Sequence, residues 1–141
     1  MVEQFKQKII CIISPDKDAY SQTFIRAHIE RLPAKVIHCY GKFFPQYYDY
    51  DKLIFPLEAH PLFFNLMKII FRIVKKEPAV YLKKESLKRF FLKNKVEAVL
   101  AEFGISGVAV MDICKKINIP LIVHFHGFDA YERRILKYFK K

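Results

Sequence analysis

The run Lys8-Ile9-Ile10-Cys11-Ile12-Ile13-Ser14 is continuously apolar and rich in β-branched residues, the pattern of a strand covered on both faces of a parallel sheet. Pro15, Asp16 and Asp18 break it. Ser21 then stands as an N-cap before Phe24, Ile25, Ile29 and Leu32, whose spacing makes one apolar stripe and predicts a helix over 22–32. Pro33 closes that helix, and Lys35-Val36-Ile37-His38-Cys39-Tyr40 predicts a second strand, ended by Gly41 and Phe44-Pro45. Together these make a βαβ unit.

The middle is less regular. Tyr47, Tyr48 and Tyr50 lead to a short strand expected at Leu53-Ile54-Phe55, and a helix starts near Pro61. From Leu62 to Val74 it is apolar nearly all round, with Asn65, Lys68 and Arg72 as a narrow polar strip, so it asks for two apolar surroundings. Pro78 stops it, and a basic amphipathic helix is expected over 80–93 with Leu87, Phe90 and Phe91 inward. Ala98 to Phe103 reads as a strand, Gly104 and Gly107 as the brackets of a tight turn, and Val110, Ile113, Cys114 and Ile117 as the buried stripe of the next helix, ended by Asn118 and Pro120. Leu121 to His126 is the final strand; Gly127 turns, and Asp129 starts a last helix running to Lys141. Strand alternating with helix predicts an α/β fold: a doubly wound, Rossmann-like parallel sheet with helices on both faces, in a single domain over 1–141.

Composition narrows this little. A chain of 141 residues with 52% hydrophobic and 16% aromatic residues suits one folded domain and excludes a disordered polymer. The net charge of +11 makes a polyanion, an anionic membrane surface or a phosphorylated ligand a reasonable partner, without choosing among them. Cys11, Cys39 and Cys114 form no CxxC pair and each sits in an apolar run, which points to buried thiols in a reducing compartment. The N-terminus has no basic-then-apolar leader, so a cytoplasmic location is expected.

In such sheets ligands collect at the carboxyl ends of the strands, here the turns after Ser14, Gly41, Phe103 and His126. The first turn, 15–21, has no glycine, which disfavours a dinucleotide fingerprint or a P-loop. The turn Phe103-Gly104-Ile105-Ser106-Gly107 leads into a helix N-terminus, where free N–H groups could receive an anion or a sugar hydroxyl; a plain βα turn is the competing reading. The most specific cluster is His124-Phe125-His126-Gly127-Phe128-Asp129, with alternation placing both histidines on one face. It has three readings: a metal pair, which would make a metal-dependent hydrolase but lacks a nameable third ligand; a merely structural pair; or His126 facing a polar substrate with Asp129 capping the following helix. No metal ligand set is assigned.

Two stretches resemble the GT4-type glycosyltransferases of the GT-B fold, retaining enzymes that use nucleotide sugars. Tyr20-Ser21-Gln22-Thr23-Phe24-Ile25, with Ile29 and Leu32, is similar to the family's opening of the first helix, although Gln22 stands where Glu is usual. Glu97 to Gly104, then Gly107, then Ile119 to Asp129, is similar to its strand, glycine turn, helix and final His-Gly-x-Asp over about a third of the chain. The resemblance implies the N-terminal, acceptor-side half of a GT-B fold, in which His126 hydrogen-bonds the transferred sugar and stabilises charge as the glycosidic bond to phosphate breaks. It also implies that Asp129 and Gly127 hold the turn, that Gly104 and Gly107 give backbone access to the cleft, and that Ser21 and Thr23 lie on its other lip, with His124 behind His126. The nucleotide sugar is then a substrate, no cofactor is needed, and the acceptor is a glycan or a lipid-linked glycan. Because the family's nucleotide-sugar domain does not follow Lys141, the chain is expected to be inactive alone, or to depend on a separate C-terminal-domain chain.

Most of the net charge lies between Lys68 and Lys95. The greasy helix, with Phe64, Lys68, Phe71, Arg72, Lys75 and Lys76, is too short to span a bilayer but could lie at an anionic membrane interface on the inner face; a core helix with a solvated basic face is the alternative. Nucleic acid is a third partner class. It is not expected, because the interleaved Phe71, Tyr81, Phe90 and Phe91 fall on helical core positions and no RNP, KH or zinc-finger pattern is present.

Overall fold

The computed structural model of the chain describes residues 7–17, 23–42, 44–55, 60–72 and 77–131, with the side chains of 128 and 130 left out. Ser21, Lys75, Lys76 and the end of the last helix lie outside the described residues. The elements run β1 (Ile9–Ser14), α1 (Thr23–Arg31), β2 (Lys35–Tyr40), β3 (Tyr47–Tyr48), β4 (Lys52–Leu53), α2 (Pro61–Arg72), α3 (Pro78–Lys93), β5 (Ala98–Glu102), α4 (Gly104–Ile117), β6 (Leu121–His124) and α5 (Gly127–Tyr131).

The sheet has the order β4-β3-β2-β1-β5-β6. Its inner part, β2-β1-β5-β6, is parallel, with Cys11 opposite both Ile37 and Val99. The expectation of an all-parallel sheet is corrected at one edge: β3 pairs antiparallel to β2 and β4 antiparallel to β3, making the six-stranded sheet mixed. The reason is local. Gly41, at φ +131, turns the chain straight back after β2, so Tyr47 pairs with Tyr40 without a crossover helix. Tyr40 secures the hairpin beyond it, donating its hydroxyl to the Asp51 carboxylate at 2.7 Å and accepting from the Asp51 N–H at 2.9 Å.

Helices cover both faces. Ile10, Ile12 and Leu100 point toward α1, where Phe24, Ile25, Ile29 and Leu32 meet them. Cys11, Ile13, Cys39 and Val99 point the other way, against Leu87, Phe90 and Phe91 of α3 and Val110, Ile113 and Cys114 of α4. Alternating strand residues thus feed two cores, which is why the strands read as unbroken apolar runs. The sheet reverses its order between β1 and β5, and at that reversal crossovers leave to opposite faces and open a crevice at the carboxyl ends.

Two boundaries differ from expectation. α3 starts at Pro78 and not at Val80, since a ring-locked φ and a missing N–H suit the first helical position. Gly104 and Gly107 lie inside the first turn of α4; the left-handed residue of the β5–α4 junction is Phe103, at φ +79. Gly107 is needed for packing: a Cβ there would stand 2.7 Å from Cγ2 of Val123 on β6. Asn118, at φ +56, ends α4 in the left-handed conformation that asparagine tolerates.

Candidate functional site

The carboxyl ends of β5 and β6 and the first turns of α1 converge on one buried carboxylate. Glu102 closes β5 on the α1 side of the sheet and is fully buried. Parallel register sets it beside His124, whose Nδ1 lies 2.9 Å from Oε2. His126, two residues on, reaches the same oxygen from Nε2 at 3.1 Å. From across the crevice His28 of α1 brings its Nδ1 to 2.5 Å from Oε1. A buried carboxylate is costly unless its oxygens are hydrogen-bonded, and here three imidazoles surround it, with no Lys or Arg partner among the described residues.

The rings stack as a group. Phe24, one turn before His28 on the same face of α1, lies over His126 at 4.3 Å between centroids, and Phe103, edge-on to Phe24, packs against the same ring at 4.4 Å. His124 and His126 are 4.2 Å apart, on one face as alternation requires. His126 is only 16% exposed, whereas His28 and His124 are 35% and 43% exposed and open the cluster to solvent.

Asp129 fixes this arrangement from behind. It is buried at the third position of α5, where one oxygen accepts the N–H of Gly104 and the other the N–H of His126, each at 2.9 Å. The second bond is one half of a capping box: the carboxylate reaches back to the residue before the helix, so Asp129 holds the turn without being the N-cap itself. The Gly104 N–H is thereby taken. Of the other expected site residues, Thr23 is exposed at the start of α1, Gly107 is buried against Val123, and Gly127 is exposed at the start of α5. Ser106 is fully buried in the first turn of α4, and its hydroxyl has no hydrogen-bond partner among the described residues.

Sequence reading did not find Glu102 or His28. The signals were present: a lone acid at the end of an apolar strand, and a histidine four residues after Phe24 on the apolar stripe of α1. These two residues group with His124, and not with His126, their donor atoms lying within 4.8 Å of one another. No group of this kind besides His28, Glu102 and His124 occurs among the described residues.

A second feature lies on the opposite side of the sheet from α1. No residue of α2 is buried. Phe64, Met67 and Phe71 face Tyr81, Leu82, Glu85 and Arg89 of α3 around a cavity of about 170 Å³. Leu62, Phe63, Leu66, Ile69 and Ile70 form the other stripe and are all more than half exposed. Phe64 and Phe71, two of the expected interfacial residues, turn toward α3, because residues 64, 67 and 71 share one helical face, and the exposed apolar face is the 62–66–69 stripe. The core-helix alternative also fails for this stripe. No helix among the described residues is long and apolar enough to cross a membrane.

The chain matches no protein-family model, no curated protein and no solved structure. Fold and site define an α/β protein with a Rossmann-like strand order and a histidine–carboxylate cluster at the carboxyl edge of its sheet.

Proposed function

We propose that the chain is the acceptor-side half of a retaining glycosyltransferase of the GT-B type, acting with a nucleotide-sugar donor. The observation that carries this reading is the convergence of the two stretches that resemble the family. Phe24, from the first, stacks on His126, and Asp129 ties the His126 N–H to the Gly104 N–H of the second. Residues separated by about a hundred positions in the chain thus build one crevice wall, at the place where sheets of this order take ligands. In this reading Glu102 orients the His126 ring through Nε2, and the other ring nitrogen meets the sugar or its phosphate as the glycosidic bond breaks. Thr23 lies on the facing lip, and a second lobe brings the nucleotide.

The test is sugar transfer from a panel of radiolabelled nucleotide sugars in extracts of the native host. His126→Ala is expected to lower transfer by about 10²–10³-fold, the usual loss of one charge-stabilising donor. Transfer at the unaltered rate overturns the assignment.

A second reading concerns where the protein acts. The exposed stripe of α2, on the helix that also carries Lys68 and Arg72, fits the head-group region of an anionic bilayer, consistent with a lipid-linked acceptor and a peripheral position on the inner membrane face.

A further inference from the structure

The glycosyltransferase reading uses one ring of the cluster, His126, and leaves His28 and His124 without a task. The donor atoms of His28, Glu102 and His124 all lie within 4.8 Å of one another. We propose that Nδ1 of His28, Nδ1 of His124 and the Glu102 carboxylate form a binding site for a divalent transition-metal ion, with Zn²⁺ the best fit.

The donor set selects the metal. Two imidazole nitrogens and one carboxylate suit zinc and its first-row neighbours, whereas Ca²⁺ and Mg²⁺ take oxygen ligands. Thiolate-seeking ions find no sulfur here, since Cys11 and Cys39 belong to the other core, 3.4 Å from each other, and Cys114 is buried there too. In a tetrahedral shell with bonds of 2.0–2.1 Å, donors stand about 3.3 Å apart. The present spacings of 2.5 and 2.9 Å are those of N–H···O bonds, so an ion enters by replacing the proton between each ring and the carboxylate, with the ring tips moving outward. The partial exposure of His28 and His124 gives that movement room and leaves a coordination position facing solvent for water or an oxygen ligand. His126 completes the arrangement as a positioning residue, holding Oε2 from outside the ligand set.

The proposal stands independently of the glycosyltransferase reading. Chelator-treated protein is titrated with Zn²⁺ by calorimetry and with Co²⁺ by visible absorption. One ion per chain is expected, with the absorption of a low-coordinate cobalt site, and His28→Gln and His124→Gln are each expected to weaken binding by about a hundredfold or more. His60→Gln, on an exposed residue before α2, is expected to leave it unchanged. Imidazole ¹⁵N spectra of the unaltered chain with Zn²⁺ do not depend on the variants folding, and the Nδ1 signals of His28 and His124 are expected to shift together. Absence of one-to-one binding, binding indifferent to both substitutions, or shifts confined to other histidines each overturn the site. One-to-one Zn²⁺ binding by the unaltered chain, with sugar transfer indifferent to His126→Ala, would uphold the metal site and remove the glycosyltransferase reading.

Discussion

α4 and α2 are both rich in large apolar residues, yet α4 buries seven of its residues and α2 buries none. The difference follows from their places in the topology. α4 is the crossover between the adjacent parallel strands β5 and β6, so it must lie on the sheet, with Val110, Ile113 and Cys114 against Cys11 and Val99. α2 follows the antiparallel hairpin and is followed by another helix; its main packing is against α3, which already covers the sheet. One face of α2 is therefore left over. Apolar composition says that a helix needs cover, and chain connectivity decides whether the domain itself provides it.

The comparison breaks most sharply through core deletions. Ile113→Ala on α4 is expected to cost about 2–5 kcal/mol, whereas Ile69→Ala on α2 should stay within about 0.5 kcal/mol of the parent. Urea midpoints at constant slope read both. Equal losses would mean that α2 is covered in solution. Gly107→Ala comes next, at about 1–3 kcal/mol, because its new methyl meets Cγ2 and Cγ1 of Val123 at 2.7 and 3.0 Å. Combining it with Val123→Ala should cost less than the sum of the two single changes, since the second makes room for the first. Strict additivity would show that α4 and β6 do not press on each other there.

On α2 the expected loss is in binding and not in stability. Sedimentation with anionic phospholipid vesicles at low salt should pull down the unaltered chain, and Leu66→Ser with Ile69→Ser should lower partitioning at least about tenfold, given roughly 1.5–3 kcal/mol per inserted large aliphatic side chain. Neutral vesicles and high salt should each weaken it, because the neighbouring charges are exposed and screened. Equal sedimentation of parent and variant would remove the membrane reading while leaving the crevice untouched.

The same contrast explains what could be read from the chain. β1, β2, β5 and β6 announce themselves as apolar runs bounded by Pro, Gly or Asn, and α3 and α4 by stripes such as Leu87-Phe90-Phe91 that need only helical spacing to interpret. β3 and β4 are two residues each and exist through pairing, β3 with β2 and β4 with β3, so no periodicity marks them; the strand expected at 53–55 falls instead at Lys52–Leu53. The histidine pair and Asp129 were visible because they are close in sequence. Glu102 and His28 were not, because their contact spans 74 positions and depends on α1 crossing over β5. Gly107 read as a turn, since the side chain that forbids a Cβ there belongs to a strand sixteen residues later.

Cysteine chemistry gives the finest probe of the two helices. Burial pushes the Cys114 thiol on α4 up to about 11, with the nearby Cys11 adding to the effect. At pH 8 its thiolate fraction is then about a hundredfold below that of a thiol at the ordinary value, so alkylation of the folded chain should be correspondingly slow and should recover on unfolding. A thiol placed on the exposed stripe by Ile69→Cys should react at the ordinary rate in the same sample. The sign of the linked stability follows: the folded state holds the Cys114 proton more tightly, so its contribution is whole below the ordinary pKa of 9.0 and is lost as pH rises through about 11. An alkaline loss of stability beginning below pH 9, or equal alkylation at the two positions, would place the inward face of α4 in contact with water and cancel the distinction between the helices.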